Sequence, residues 1–346
     1  MIPFNKPIFF LLLLLPIVVI SQEKFTLSGI ITDQSSNETL IGANIIIPSL
    51  QTGTTSNEYG FYSITLDKGE YEFQISYLGF KSIVQNINLD KDQTLNFKLI
   101  EDSETLDEIV IVEDVEKLNI RKPQMSLNSL SINTIKQIPV VLGEVDLIKS
   151  ITLLPGVTTA GEGASGFNVR GGAADQNLIL LDEATIFNSS HLFGLFSVFN
   201  PDAIKDIKLY KGGIPAKYGG RVSSVLDIYQ KEGNSNEFKM NGGIGLVSSR
   251  LLAEGPLKKE QVSFLFGGRS SYAHLFLPLF DIDNIAYFYD LNTKLSYKLN
   301  DRNNIYLSGY FGRDVFSISD SFENAYGNAV INFRWNHLFS DKLFSN

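Results

Sequence analysis

The residues IKLYKGGIPAKYGGR, at positions 207–221, decide the fold class of this sequence. An alternating run of apolar and charged residues ends in a Gly-Gly pair, and a second Gly-Gly pair stands directly before an arginine. Glycine weakens a strand and permits left-handed backbone, so each pair marks a point where the chain turns or packs closely. The stretch therefore predicts a strand that leads into a rigid, glycine-rich loop.

Four shorter runs precede this stretch in the chain. The run VDLIKSI (145–151) predicts a short amphipathic helix that LLPGV (153–157) ends, and FNVRGG (167–172) and QNLILLD (176–182) follow. These runs, in this order, resemble the plug domain of TonB-dependent receptors, which we place at residues 127–229. The resemblance gives plug-motif roles to Arg170, Gly171, Gly172, Asp182, Lys211, Gly212, Gly213, Pro215, Gly219, Gly220 and Arg221.

A plug fills a barrel yet must be removable, and the inner wall of such a barrel is polar. Arg170 and Arg221 are therefore expected to pair with carboxylates of the wall, with ion pairs inside the plug as the equal alternative. The glycine pairs are expected to let backbone pass close to backbone. Phe187, His191 and Phe193 are candidates for ligand contact, and ordinary packing inside the plug is the alternative for all three.

The segment 236–346 alternates between apolar and polar residues. Leu291 and Leu295, for example, alternate with Asp290 and Lys294, which is typical of strands with one apolar and one charged face. In the resemblance this segment begins a transmembrane β-barrel, whose strands present apolar residues to lipid and polar residues to the lumen. The overall fold class is therefore mainly β: a sandwich, an α+β plug and the first strands of an incomplete barrel.

The barrel segment is expected to hold about five strands, whereas a barrel around a plug of this size takes about 22. The resemblance thus implies a chain that is truncated at its C-terminus. Gly255 and Pro256 are expected to form a turn between two of the strands. Aromatic residues expected at the membrane interfaces are Tyr287, Tyr289, Tyr306, Tyr310 and Trp335.

Short alternating runs also fill residues 22–100. Phe73 and Ile75, for example, alternate with polar neighbours, and turn signals divide the segment into about seven strands, which fits a Greek-key β-sandwich. Gly60 and Gly69, each before an aromatic strand, are expected to supply a positive φ to their turns. The segment resembles the carboxypeptidase-regulatory-like domain in the runs at 28–33, 40–45, 53–62 and 76–80.

An acidic linker, residues 101–126, joins the predicted sandwich to the predicted plug. It contains one apolar island, which resembles the TonB box and consists of Leu106, Asp107, Glu108, Ile109, Val110, Ile111 and Val112. A β-branched run in an acidic linker can add as a strand to the sheet edge of a partner. The alternative is a strand that closes the sandwich or starts the plug.

The N-terminus predicts export. Lys6 precedes an apolar run at 8–20, and Val19-Ile20-Ser21 before Gln22 suits cleavage, so we expect a signal peptide at 1–21. The apolar run is shorter than the roughly 20 residues that a membrane-spanning helix needs, which disfavours an anchoring helix. With the resemblance, these features predict an outer-membrane protein whose N-terminal domain lies in the periplasm.

Charge and composition exclude several functions. A net charge of −9 without a basic cluster argues against nucleic-acid binding, and the absence of cysteine excludes thiolate chemistry. The three histidines, His191, His274 and His337, are far apart, so a zinc carboxypeptidase is disfavoured. No Gly-x-Ser-x-Gly elbow is present, so we expect neither a catalytic residue, nor a metal, nor a cofactor. A surface adhesin or non-catalytic binding module built from β-sandwiches is the remaining alternative.

The resemblance implies that the protein is a TonB-dependent outer-membrane receptor of the Bacteroidetes type. Such a receptor binds an extracellular nutrient, here an iron chelate, a cobalamin-like molecule, an oligosaccharide or a peptide. It imports the nutrient after the energy-coupling protein TonB captures the island at 106–112 by strand addition and displaces the plug. Outer-membrane lipid and a surface lipoprotein are the further partners that the resemblance implies, and reporting of ligand occupancy by the N-terminal domain is a secondary role.

Overall fold

The computed structural model describes residues 23–102, 127–136, 138, 144–161, 166–280, 284–318 and 322–346. The expected signal peptide and the TonB-box-like island lie outside the described residues. The described chain is mainly β, which confirms the predicted fold class. Across these ranges we find no helix that is both long and apolar enough to span a bilayer.

The N-terminal domain is a β-sandwich of two facing sheets, called the sandwich below. One sheet has the order β4-β1-β7, with β8 also pairing with β1, and the other has the order β3-β2-β5-β6. Phe73 and Ile75 are fully buried between the sheets, as their alternation predicts. The strands are β1 Lys24–Asp33, β2 Asn44–Ile47, β3 Thr52–Thr55, β4 Phe61–Asp67, β5 Gly69–Ser76, β6 Ile83–Leu89, β7 Gln93–Thr94 and β8 Phe97–Leu99, with a 3-10 turn at Pro48–Leu50.

The two glycines singled out in the sandwich behave differently. Gly60 has a φ of 74° in the turn before β4, as expected, and a Cβ there would also lie 2.7 Å from the Cβ of Thr39. Gly69 has no positive φ, so the expectation for it is wrong. It opens β5 and pairs with Leu89, because the turn is completed before it.

The middle of the chain forms the central domain, residues 127–234. Its main sheet has the order β13-β12-β17-β16-β9, and only the β12–β17 pair is parallel. Ile207, Leu209 and Leu226 are fully buried beneath it. The elements are β9 Leu127–Ser131, α1 Ile132–Lys136, α2 Leu147–Ile151, β10 Val157–Thr159, β11 Phe167–Val169, β12 Asn177–Leu181, β13 Ala184–Thr185, β14 Ser190–His191, β15 Phe196–Ser197, β16 Ile204–Tyr210 and β17 Ser224–Gln230, with 3-10 turns at Ala174–Gln176 and Leu192–Gly194.

Helix α2 confirms the helix predicted from VDLIKSI. The Asp146 carboxylate caps its start by accepting a hydrogen bond from the Lys149 backbone N–H at 2.9 Å. Leu147 and Ile151 are fully buried on one face, which anchors the short helix in the domain core. Gly156, with a φ of 77°, then turns the chain into β10.

The C-terminal part is one antiparallel sheet, called the outer sheet, in which seven consecutive strands pair in chain order. The expected number was about five. Gly255 and Pro256, expected in a turn, lie inside β19, where a register shift after Pro256 accommodates the missing N–H. The strands are β18 Lys239–Ile244, β19 Ser248–Lys258, β20 Val262–Ser271, β21 Ile285–Asn300, β22 Asn303–Ile318, β23 Phe322–Ser340 and β24 Leu343–Ser345, with a 3-10 turn at Ala273–Phe280.

The outer sheet is inverted relative to a sheet of a water-soluble protein. Its polar face lies against the central domain, so that Asp290 and Lys294 are 1% and 3% exposed. Its apolar face is open, with Ile331 83% and Phe333 64% exposed. Tyr306 and Tyr310, expected at the membrane interfaces, are buried on the polar face. That expectation is wrong because both residues share the alternation phase of the polar residues on β22.

Candidate functional site at the contact between the central domain and the outer sheet

Buried ionic groups join the central domain to the polar face of the outer sheet. Each bond crosses from one unit to the other, and the partners come from distant parts of the sequence. A polar interior is stable only where its charges are paired and hydrogen-bonded. The pairs are Glu144–Arg269, Asp182–Lys294, Asp202–Arg250, His191–Asp290 and His191–Asp314.

His191, on β14, lies between two carboxylates of the outer sheet. Its Nδ1 is 2.7 Å from Oδ2 of Asp314, and its Nε2 is 3.1 Å from Oδ2 of Asp290. The ring stacks on Phe288 with 4.2 Å between the ring centroids. Both ring nitrogens are thus engaged, and the imidazole bridges the central domain to two strands of the outer sheet.

Arg269, on β20, bonds both to its own sheet and to the central domain. Its Nε and Nη2 donate to Oδ2 of Asp290 at 2.8 and 2.6 Å, and Nη2 also donates to the Ser197 carbonyl at 2.7 Å. Its Nη1 reaches Oε2 of Glu144 at 3.4 Å. Arg269 therefore ties the sheet to Glu144, shortly before α2, and to β15, and its guanidinium offsets part of the charge of the buried carboxylates.

Asp182, expected from the plug motif, is buried at the end of β12. Its Oδ2 lies 3.0 Å from Nζ of Lys294, and its Oδ1 accepts from the Gln230 N–H at 3.0 Å. Lys294 also donates to the Gln230 carbonyl at 2.9 Å. Asp182 and Glu183 both have a left-handed backbone, with φ of 47° and 71°, and together they form the tight turn into β13.

The ionic contact has basic groups on both sides, since Lys231 of the central domain also lies 3.9 Å from Glu254 of the outer sheet. The cations Arg250, Arg269 and Lys294 belong to the outer sheet and meet carboxylates of the central domain. Arg170 and Arg221 are exposed, and the Arg221 guanidinium donates to the Gly220 carbonyl at 2.8 Å. A lone arginine at the end of the apolar strand FLFGGR was the sequence signal for Arg269.

The glycine pairs serve turns more than close packing. One member of each pair is left-handed, namely Gly171, Gly213 and Gly220. A Cβ on Gly171, Gly219 or Gly220 would meet no atom within 4 Å, whereas a Cβ on Gly172 would lie 2.3 Å from Oγ of Ser223. Gly212 and Pro215 stand in the same loop, where the Pro215 carbonyl accepts from the Tyr218 N–H, and Lys211 donates to the Pro155 carbonyl at 2.9 Å.

The three ligand candidates fall into two groups. His191 is buried with both ring nitrogens engaged, and so it belongs to the contact between the units. Phe187 is 84% exposed and Phe193 is 44% exposed, with Phe193 edge-on to Phe316 of the outer sheet. Within the described part of the chain, no group of three or more His, Asp or Glu side chains is arranged to hold a metal ion.

Two protein families match consecutive parts of the chain. Residues 27–111 match the CarboxypepD_reg-like domain, and this match includes most of the island at 106–112. Residues 122–225 match the TonB-dependent Receptor Plug Domain, which corresponds to most of the central domain.

Two curated proteins and one solved structure that resemble this chain are receptors by name. TonB-dependent receptor SusC of Bacteroides thetaiotaomicron is 28% identical over 230 residues, which are 62% of this chain and 22% of SusC. TonB-dependent receptor P3 of Formosa agariphila is 34% identical over 105 residues, 30% of this chain and 10% of P3. The siderophore receptor PirA from Pseudomonas aeruginosa aligns with 62% of this chain and 38% of its own at 18% identity, with a TM-score of 0.45. The chain thus matches about a fifth of the length of SusC and a tenth of P3.

Proposed function

We propose that this chain, which carries the paired domains of the TonB-dependent receptors, serves the energy-coupled import of a nutrient across the outer membrane. The observation that carries the proposal is the inverted outer sheet around the central domain. An exposed face with Ile331, Phe333 and Trp335 suits lipid, and a buried face with Asp290 and Lys294 suits a barrel lumen. A soluble adhesin is not expected to have an exposed apolar face and a buried charged face, because its apolar side chains would be buried in the core.

In this proposal the central domain is the plug, and the outer sheet supplies the wall that it meets. The ionic contact holds the plug firmly, yet its groups can be rehydrated once the two surfaces separate. Transport requires no chemistry from the protein, only displacement of the plug. The outer membrane is the site of action, with the sandwich on the periplasmic side.

The coupling segment in this proposal is the island at 106–112, which TonB captures by strand addition. Its position between two folded domains supports the assignment, since a pull there reaches the central domain directly. The match of residues 27–111 to the sandwich family favours the alternative, in which the island completes the sandwich.

Ligand specificity is proposed to involve exposed aromatic residues of the central domain. Phe187 and Phe193 present open ring surface that a chelate, corrinoid, sugar or peptide can stack upon. Both lie near β22 and β23 of the outer sheet, where Asn328 accepts from the Phe187 N–H. A surface lipoprotein is proposed as a further partner on the extracellular side.

Binding of the purified periplasmic domain of TonB to the full chain tests the coupling assignment. Ile109→Pro removes a backbone donor from the island, so we expect its affinity to fall at least about tenfold, which corresponds to 1.4 kcal/mol. Leu118→Pro is the matched control, because it places proline in the same linker outside the island. Equal affinity of the Ile109→Pro variant and the unaltered chain would refute the assignment.

A further inference from the structure

The sandwich rests on one end of the outer sheet, the end that holds the β21–β22 and β23–β24 turns. Asp341, in the turn between β23 and β24, accepts from Ser28 Oγ and Thr94 Oγ1, each at 2.9 Å, and its carbonyl accepts from Ser63 Oγ at 2.8 Å. Three hydroxyls from three different strands of the sandwich therefore converge on one turn of the outer sheet.

A second set of contacts lies where the chain enters the outer sheet. The Ser235 N–H donates to the Ser36 carbonyl at 3.0 Å, which brings the two backbones side by side. In β24, the Phe344 ring stacks on Tyr59 and Phe61 of the sandwich, with centroid distances of 5.0 and 5.6 Å. The sandwich is thus held at both edges of the outer sheet, beside β18 and beside β24.

The sandwich also binds the central domain through charges. Glu58 lies 3.0 Å from Lys217 Nζ and 3.8 Å from Lys208 Nζ, and Tyr59 donates to Glu183 at 2.6 Å. Burial by itself raises the pKa of Glu58, but the two ammonium groups outweigh it and hold that pKa below its ordinary value. The ionised carboxylate is therefore the form that fits this contact.

Glu232 is the residue at which the three units meet. Its carboxylate accepts from Thr39 Oγ1 of the sandwich at 2.7 Å and from Lys205 Nζ of the central domain at 3.3 Å. Its carbonyl accepts from the hydroxyls of Ser263 and Ser296, both in the outer sheet, at 2.9 and 2.7 Å. The side chain is buried, so these bonds are shielded from water.

We propose that the sandwich is a docked cap, which covers the end of the outer sheet that holds the β23–β24 turn and locks the central domain to that sheet through Glu232. The assignment of the sandwich as a cap depends on the proposed function in one respect. In transport, the cap has to undock before the plug can move and a solute can pass. Residues 103–126 join the cap to the central domain, so tension on this segment acts on both of them. The sandwich is then a second barrier in series with the plug.

Hydrogen exchange of the full chain in detergent micelles tests the lock without any nutrient. Glu232→Gln removes the shared charge at nearly constant volume, so we expect the amides of β16 and β17 to exchange at least about tenfold faster, or 1.4 kcal/mol of opening free energy. Glu237→Gln is the matched control, since Glu237 is exposed in the same connection and is expected to leave exchange unchanged. Equal exchange in the two variants would overturn the proposal.

A disulfide gives the complementary test, because the chain has no cysteine of its own. The Ser36→Cys/Ser235→Cys pair should cross-link cap to sheet on oxidation and restore slow exchange in the Glu232→Gln background. The Thr26→Cys/Thr65→Cys pair, across directly paired strands of the sandwich, is the control that leaves the cap free to undock. Oxidation of the first pair without slower exchange in β16 and β17 counts against the lock. Neither test depends on transport, so failure of the import proposal leaves their outcome readable.

Discussion

The sandwich and the outer sheet follow the same two-residue alternation and bury opposite faces. In the sandwich, Phe73 and Ile75 are fully buried and their polar neighbours face water. In the outer sheet, Leu291 and Leu295 are each 40% exposed, while Asp290 is 1% exposed. Alternation therefore indicates that a segment is a strand, whereas the surroundings of the strand decide which of its two faces is buried.

The two regions consequently depend on different interactions. The sandwich is stabilised by removal of apolar area from water, which needs no specific partner. The outer sheet is attached to the central domain by charged groups, and each charge needs its counterpart at hydrogen-bonding distance. Substitutions of the same chemical kind should thus have unlike effects in the two regions.

The largest contrast is expected for truncation of phenylalanine. Phe73→Ala opens a cavity in the sandwich core and should lower the free energy of unfolding by about 4 kcal/mol. Phe333→Ala, on the exposed face of the outer sheet, leaves no cavity and should cost less than about 1 kcal/mol. Urea denaturation of both variants in the same detergent measures the difference. Equal losses would mean that the exposed face of the outer sheet is packed.

Removal of a buried cation should have the next largest effect. Arg269→Met leaves Asp290 and Glu144 without their shared guanidinium, and we expect the outer sheet to lose about 3 kcal/mol of its attachment to the central domain. Arg313→Met is the control, since Arg313 lies on the exposed face of β22. Proteolysis of the central domain in the folded chain is the measurement, and a resistant Arg269→Met variant would contradict the ionic account.

A charge introduced on an exposed face should distinguish water from lipid. Phe333→Lys should cost about 2 kcal/mol in vesicles if this face meets lipid, because a lysine in contact with hydrocarbon is poorly solvated. Val84→Lys, at an exposed site of the sandwich, should stay within about 0.5 kcal/mol. If both variants assemble into vesicles equally well, the apolar face of the outer sheet does not meet lipid.

The smallest effect is expected from acid, at the residue that joins the two regions. Burial alone raises the pKa of Glu232, but Lys205 and Lys294 and the hydrogen bond from Thr39 outweigh it and lower the pKa to about 2, against 4.5 for a free glutamate. A depressed folded pKa stabilises the fold above the unfolded value and ceases to do so as pH falls through the folded value. The cap should therefore loosen between pH 4.5 and about 2.

Glu38 opposes this trend, because burial raises its pKa and favours its protonated form in the folded chain. The measurable quantity is the difference between the unaltered chain and Glu232→Gln in thermal unfolding from pH 7 to pH 2. We expect the variant to be less stable at neutral pH and the two curves to converge in acid. Parallel curves would show that Glu232 does not titrate in this window.

The sequence predicted the local features well and the long-range ones poorly. The alternation of Asp290 and Lys294 with apolar residues, the helix capped by Asp146 and the mainly β fold class all follow from neighbouring residues. The bond between His191 and Asp314 joins positions 123 residues apart, and no local pattern indicates it. For the same reason Tyr306 and Tyr310 were assigned to the wrong face, since a tyrosine suits either a lipid interface or a polar interior.

The contacts that the cap makes with the outer sheet and with Glu232 also could not be predicted from the sequence. Asp341 and Glu232 look like ordinary turn carboxylates, and only the fold brings Ser28 and Thr39 to them. The ionic partners on the outer sheet were easier to predict, because Arg269 is a single charged residue in an apolar strand and so indicates a buried counterion. The TonB-box-like island and the ligand-binding residues stay predictions, and the experiments above address the island.

The left-handed turn at Asp182 and Glu183 joins more than the two strands beside it. Residues other than glycine hold such a backbone at a cost of about 1–2 kcal/mol each, and here Lys294 and Tyr59 hold the two side chains from outside the central domain. Since Asp182 also accepts from the Gln230 N–H inside the central domain, this one turn contacts all three units of the chain. A substitution that displaces the turn is therefore expected to weaken the attachment of the sandwich and that of the outer sheet together.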